Sequence, residues 1–129
     1  MSKNLQMSLK TKWFEMTKSG EKTEDYREIN EYWFKRLVYH WKEHFLSSKM
    51  SQPTQQNIEF ILNGGCFGFN DFDSNIMTLG YPRKDDKERI IKFEHTGIEI
   101  REGREEWGAE PGKLYFVIKH GRRLVDKVG

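Results

Sequence analysis

Apolar positions recur in two rhythms along this chain, helical in its first third and alternating after residue 57. Leu9, Trp13 and Met16 fall at helical spacing, which predicts a helix over Leu9 to Lys18 with Gly20 at its C-terminal cap. Ile29, Trp33, Leu37, Trp41 and Phe45 are each four apart and predict a second helix over Ile29 to Phe45, with Asn30 as its N-cap. Between them, the short polar stretch Lys22 to Glu28 follows a glycine and reads as a strand. Ser47 to Asn57 is polar, contains a proline and reads as a loop. Beyond it, Ile58, Phe60 and Leu62 alternate with Glu59, Ile61 and Asn63, and this strand pattern stops at Gly64-Gly65. Ile76 to Leu79 reads as a short strand, and Glu88 to Glu102 as one long strand or a pair broken near Gly97. Lys113 to Lys119 reads as a strand entered through the Pro111-Gly112 turn. Helices first and strands afterwards predict an α+β fold with a small antiparallel or barrel-like sheet.

Composition sharpens this picture in three ways. The 129 residues fit one domain, 1–129, with no internal repeat or linker. Although 33% of residues are charged, nine Phe, five Tyr and four Trp supply large buried areas, so a packed core is expected rather than disorder. The net charge of +2 is unevenly spread: residues 1–50 carry ten Lys/Arg against seven Asp/Glu, residues 51–100 five against eight, and residues 101–129 seven against five. Two mildly basic ends can form a surface that attracts phosphate, or simply an evenly solvated one. The single cysteine, Cys66, excludes an internal disulfide and a multi-cysteine zinc site, which points to a reducing compartment. Met1-Ser2-Lys3-Asn4 is not followed by a signal-peptide apolar run, and no window approaches the ~18 apolar residues of a spanning helix. A cytoplasmic protein with no membrane partner is expected.

The segment between the two predicted helices concentrates the chemistry. Gly20 permits a sharp exit from the first helix, so that Lys22 emerges at a helix C-terminus, where a cation is favoured. If a strand begins at Lys22, Thr23, Asp25 and Arg27 share one face, and Glu24 and Tyr26 the other. Hydroxyl, carboxylate and guanidinium in a row offer acceptors for a base edge and donors for a phosphate. Equally, Asp25 or Glu24 can pair with Arg27 to close the sheet and leave Lys22 solvated.

This same stretch, Trp13 to Arg27 (WFEMTKSGEKTEDYR), resembles the signature of the ASCH family, in which a helix ends in Gly-x-Lys-Thr and leads into a strand ending in Arg. Gly20, Lys22, Thr23 and Arg27 are the matching residues. A second similarity is Glu106-Trp107-Gly108-Ala109-Glu110-Pro111-Gly112 before the strand Tyr115 to Ile118, so that the resemblance runs from about Leu5 to Arg122. It implies a PUA-like small β-barrel with N-terminal helices packed beside it, and a cleft next to the first helix and its following strand. Lys10 is then a second cation near that cleft. The family is associated with RNA, and some small members hydrolyse the amide of acetylated cytidine. In those, a hydroxyl residue two before the arginine is the proposed nucleophile with lysine as its base. Asp25 stands at that position here, which departs from the pattern; Thr23 is not interchangeable with it, and neither Glu94 nor Glu99 is singled out as a further carboxylate.

The remaining signals have plainer readings. His40-Trp41-Lys42-Glu43-His44 fits the H-x-x-E-H pattern of inverted zinc peptidases, with both histidines one helical turn apart, yet a third ligand is missing and a solvated helix face is expected, with no metal. Gly64-Gly65-Cys66-Phe67-Gly68-Phe69 lacks the Gly-Lys-Ser/Thr of a phosphate loop, and Cys66 reads as an inert thiol. Phe67, Phe69 and Phe72 can stack bases, but core packing is expected for at least two. Trp107 reads as a packing residue, and Lys119, His120, Arg122 and Arg123 as a basic end, either in contact with phosphates or simply charged surface. The expected function is a binding module for RNA or a modified nucleoside, without a cofactor, through Lys10, Lys22, Thr23, Asp25 and Arg27. A metal-independent amidohydrolase acting on an acylated nucleoside such as N4-acetylcytidine, with Lys22, Thr23 and Asp25 as catalytic candidates, is the alternative; a protein-interaction adaptor is the third.

Overall fold

The computed structural model describes residues 3–40 and 67–124. Five strands make one mixed sheet that curves into a half-barrel: β1 (Asn4–Leu9), β2 (Glu24–Glu28), β5 (Ser74–Leu79), β6 (Ile90–Glu102) and β7 (Leu114–Leu124), in the order β1-β5-β6-β7-β2. Two short helices, α1 (Thr11–Lys18) and α2 (Glu31–Leu37), follow β1 and β2, and a small pair, β3 (Val38–His40) with β4 (Phe67–Phe69), stands apart. The α+β class expected from the sequence is what the chain adopts. A purely antiparallel sheet is not, because β1 runs parallel to β5 while the other pairings in the large sheet are antiparallel.

β1 itself is absent from the sequence reading. Leu5, Met7 and Leu9 point inward and Asn4, Gln6 and Ser8 outward, a strict alternation over six residues. Because Leu9 belongs to this strand, α1 buries Phe14 and Thr17 rather than the expected Leu9–Trp13–Met16 stripe. Thr17 tolerates burial because its hydroxyl donates to the Trp13 carbonyl (2.7 Å). Trp13 is thereby left at the helix flank, only half-buried.

The second helix is shorter than its periodicity suggests. Asn30 caps it as expected, its Oδ1 accepting from the Trp33 N–H (2.9 Å), but the helix stops at Leu37. β-branched Val38 and aromatic Tyr39 favour extended backbone, and Val38–His40 pairs with Phe67–Phe69 instead. His40 therefore lies on a strand, so it is not part of a helical pair of zinc ligands; His44, Cys66, the loop Ser47 to Asn57 and the predicted strand Asn57 to Asn63 lie outside the described residues. Among the described residues no cluster of three His, Cys, Asp or Glu side chains is arranged to hold a metal ion, and no helix is long and apolar enough to cross a membrane.

Glu88 to Glu102 resolves into one strand, Ile90–Glu102, whose pairing with β7 shifts register between Phe93 and Gly97. Inside the half-barrel, Leu5, Met7, Phe14, Phe34, Met77, Ile91, Phe116 and Ile118 form the core, each almost or completely buried. Phe69 and Phe72 pack against it, Phe69 edge-on to Phe116 with ring centroids 6.1 Å apart.

Candidate functional site: a cleft between the first helix and the Trp-Gly turn

The turn after α1 sets the site. Gly20 takes φ +88°, and the Lys22 N–H reaches back to the Met16 carbonyl (3.0 Å), so residues 20–23 close the helix end instead of starting the strand. β2 begins only at Glu24, and the expected alternation of Thr23 with Asp25 and Arg27 does not hold. Thr23 is exposed and lies outside the cleft; its carbonyl accepts from the His120 N–H (3.0 Å). Lys22 is turned inward, 3% exposed, rather than emerging into solvent.

A cleft of about 270 Å³ opens here. Ser8, Leu9 and Lys10 of the β1–α1 junction and Trp13 form one side, Lys22, Asp25, Tyr26 and Arg27 the second, and Trp107, Gly108 and Tyr115 the third. Four of the five expected site residues thus meet, Thr23 being the exception. Three cations face one carboxylate, so the cleft carries positive charge. Lys10 is exposed, and among the described residues its ammonium has no hydrogen-bond or ion-pair partner.

Lys22 and Asp25 are tied to each other. The Lys22 ammonium donates to Asp25 Oδ1, and the second carboxylate oxygen accepts from His120 Nε2 (2.6 Å). Burial alone raises the Asp25 carboxyl, but the His120 hydrogen bond and the Lys22 charge outweigh it and hold it down to about 2. Burial lowers the Lys22 ammonium from its ordinary value, with Asp25 opposing. Behind Asp25 a polar chain runs through the interior: Asn75 Nδ2 donates to His120 Nδ1 (2.8 Å) and the Lys119 carbonyl (3.2 Å), and Asn75 Oδ1 accepts from His95 Nδ1 (2.7 Å). These roles assign the His120 proton to Nε2 and a proton to Nδ1 of His95. His120 is thus not part of a basic terminal surface, and Arg122 of that supposed surface is engaged with Glu94 (3.0 Å).

Arg27 does not pair with Asp25. Its Nη2 donates to the Ser8 carbonyl (2.9 Å), its guanidinium lies 5.1 Å from the Trp33 ring, and its Nε is buried with no partner. Burial lowers its pKa from the ordinary arginine value. Glu24 turns to the other side, accepting from Tyr26 Oη (2.6 Å) and Arg101 Nη2 (2.5 Å). Burial and the Glu24 bond push the Tyr26 phenol up to about 12.

The aromatic walls escaped the sequence reading as site residues. Trp107, expected only to pack, lines the cleft with the Arg104 guanidinium 4.7 Å from its ring. Glu94 and Glu99 do not line the cleft. Comparison of the chain with family models, curated proteins and solved structures returns no significant match.

Proposed function

We propose that the chain is a PUA-like domain of the ASCH type that binds RNA or a nucleotide-like ligand in this cleft. One observation carries the reading. The two sequence segments that resemble the family, Trp13–Arg27 and Glu106–Gly112, lie far apart in the chain yet line the same hollow. There they combine two indole rings with cations, a pairing suited to a base and its phosphate. In this reading Trp13 and Trp107 receive the base, while Lys10 and the Arg27 edge receive the anionic group. Lys22 and Asp25 form the polar back wall, where the ammonium's remaining hydrogens meet a carbonyl.

The hydrolase alternative has less support. Asp25 has both oxygens occupied and stays ionised to about pH 2, so it is a weak base toward water. Thr23 is outside the cleft, and the Tyr26 and Tyr115 hydroxyls are engaged, Tyr115 Oη accepting from the Glu110 N–H (2.9 Å). Release of cytidine from its N4-acetylated form, lost in a Lys22→Ala variant whose circular dichroism shows it still folded, reverses this preference.

Tryptophan fluorescence titrated with the four nucleoside 5′-monophosphates and with single-stranded RNA tests the reading. Lys10→Ala and Trp107→Ala are expected to weaken binding about tenfold or more, with Lys10→Ala also flattening the salt dependence by about one unit of slope. Unchanged affinity in both variants, or absence of any binding, defeats it.

A further inference from the structure

The two large aromatic side chains that are exposed among the described residues, Tyr32 at 60% and Tyr81 at 97%, line one groove. This groove, about 390 Å³, is a separate hollow from the cleft, and Ser8 and Arg27 line both. Trp33, Arg36, Gln6, Met7 and Thr78 complete it, with no carboxylate among its walls.

The groove is built rather than incidental. Arg36 Nη2 donates to the Gln6 carbonyl (2.9 Å) and Nη1 to Tyr32 Oη (3.0 Å), which holds the guanidinium between β1 and α2. Arg27 and Arg36 lie 5.1 and 5.2 Å from the Trp33 ring, and Tyr32 meets that ring edge-on at 5.1 Å. Tyr81 stands on a turn whose Gly80 carbonyl accepts from both Thr78 Oγ1 (2.9 Å) and Ser8 Oγ (3.3 Å). A pinned turn therefore presents an almost wholly exposed ring beside two guanidinium groups. Apolar ring surface left in water costs free energy that a stacked partner recovers, and unpaired positive charge selects an anionic one.

Resting on the nucleotide reading of the cleft, we infer that this groove is a second subsite that takes the adjoining base of a single-stranded RNA. Arg27, in the wall common to both hollows, meets the phosphate between the two bases, while Arg36 meets the next. The ligand is then at least two nucleotides long, not a free nucleoside.

Affinities of the four nucleoside 5′-monophosphates and of random-sequence RNA tetramers, measured by calorimetry on the wild-type chain and variants, test this. Tetramers are expected to bind more than about tenfold tighter than any monophosphate. Tyr81→Ala and Tyr32→Ala, both at exposed rings, are expected to lower tetramer affinity by between about fivefold and a hundredfold and to leave monophosphate affinity unchanged. Tetramers that bind no tighter than monophosphates, or as well to the tyrosine variants as to wild type, overturn the groove and leave the cleft standing. Tyrosine-dependent tetramer binding that ignores Lys10→Ala and Trp107→Ala supports the groove and defeats the cleft. Absence of binding at either length overturns both.

Discussion

Trp13 and Gly108 approach so closely that a Cβ added at Gly108 would sit 2.8 Å from Trp13 Cζ2. Gly108 also takes φ +99°, which a side chain adopts only under strain. The helix flank and the Trp-Gly turn, two of the walls of the cleft, thus pack together closely because Gly108 lacks a side chain.

Gly108→Ala is accordingly expected to cost about 1–3 kcal/mol from backbone strain and to displace Trp13. Thermal melts report the first effect and tryptophan emission the second. A variant with wild-type melting temperature and spectrum contradicts this contact.

Lys22→Ala removes one member of an ion pair whose side chains are 2% and 4% exposed. Asp25 keeps the His120 bond but loses its counter-charge, and stripping one partner from a buried pair costs about 3–5 kcal/mol. Urea unfolding at neutral pH checks this; a loss below about 1 kcal/mol shows that Lys22 is not paired in solution. Lys10→Ala, at an exposed ammonium, is expected to stay within about 0.5 kcal/mol of wild type. The contrast matters for ligand assays, because loss of binding in Lys22→Ala is ambiguous between site and fold, whereas loss in Lys10→Ala is not.

Where sequence reading succeeded, a local rule decided the outcome. Gly20 after a helical run and Asn30 before one produced the expected caps, and Pro111-Gly112 led into β7. Four of the five residues named from the sequence line one hollow, with Lys10 named by the family resemblance and not by the order of glycine, lysine and arginine. Where it failed, tertiary partners decided. The apolar stripe runs on past Leu37 to Trp41, and pairing of Val38–His40 with β4, to which β-branched Val38 is itself suited, ends the helix there. Lys22 carries no mark of burial in its neighbours; the buried carboxylate that receives it is fixed in turn by His120 from the far end of the chain. That histidine had a signal, since Phe116, Ile118 and His120 fall on every second position of β7 and all are buried. Reading it among Lys119, Arg122 and Arg123 as surface charge overlooked the period of two. Tyr32 and Tyr81 line one groove with β1, whose residues form a strand through an alternation that went unread.

Stability is expected to fall in two steps as acid is added. His95 is lowered from its ordinary value by burial and by the neighbouring His120, so the folded chain prefers it neutral. Its contribution is complete above the unfolded pKa of about 6.5 and is lost as pH falls through the lower folded value. Asp25 is held to about 2 against an unfolded value near 3.8. It adds stability above the latter and loses it as pH drops toward 2, a contribution of about 2 kcal/mol. Urea midpoints from pH 8 to pH 2 should show both steps, with Asp25→Asn removing the lower one; persistence of that step in the variant assigns it to another carboxyl.

Asn75 is completely buried and uses its amide to set the protonation pattern of two imidazoles. In the wild-type chain, ¹⁵N–¹H correlation spectra should show His120 protonated at Nε2 and bare at Nδ1, and His95 protonated at Nδ1. Asn75→Asp keeps the side-chain shape but replaces both amide donors with acceptor oxygen. The oxygen that takes the place of Nδ2 then faces both the Lys119 carbonyl, an unfavourable contact, and His120 Nδ1, which can satisfy it only by acquiring a proton. His120 would become a cation bonded to carboxylates on either side. The variant is expected to show both His120 nitrogens protonated at neutral pH and to lose about 1–3 kcal/mol, because the Lys119 carbonyl is left without its donor. A His120 spectrum identical to wild type would mean that Asn75 does not donate to it.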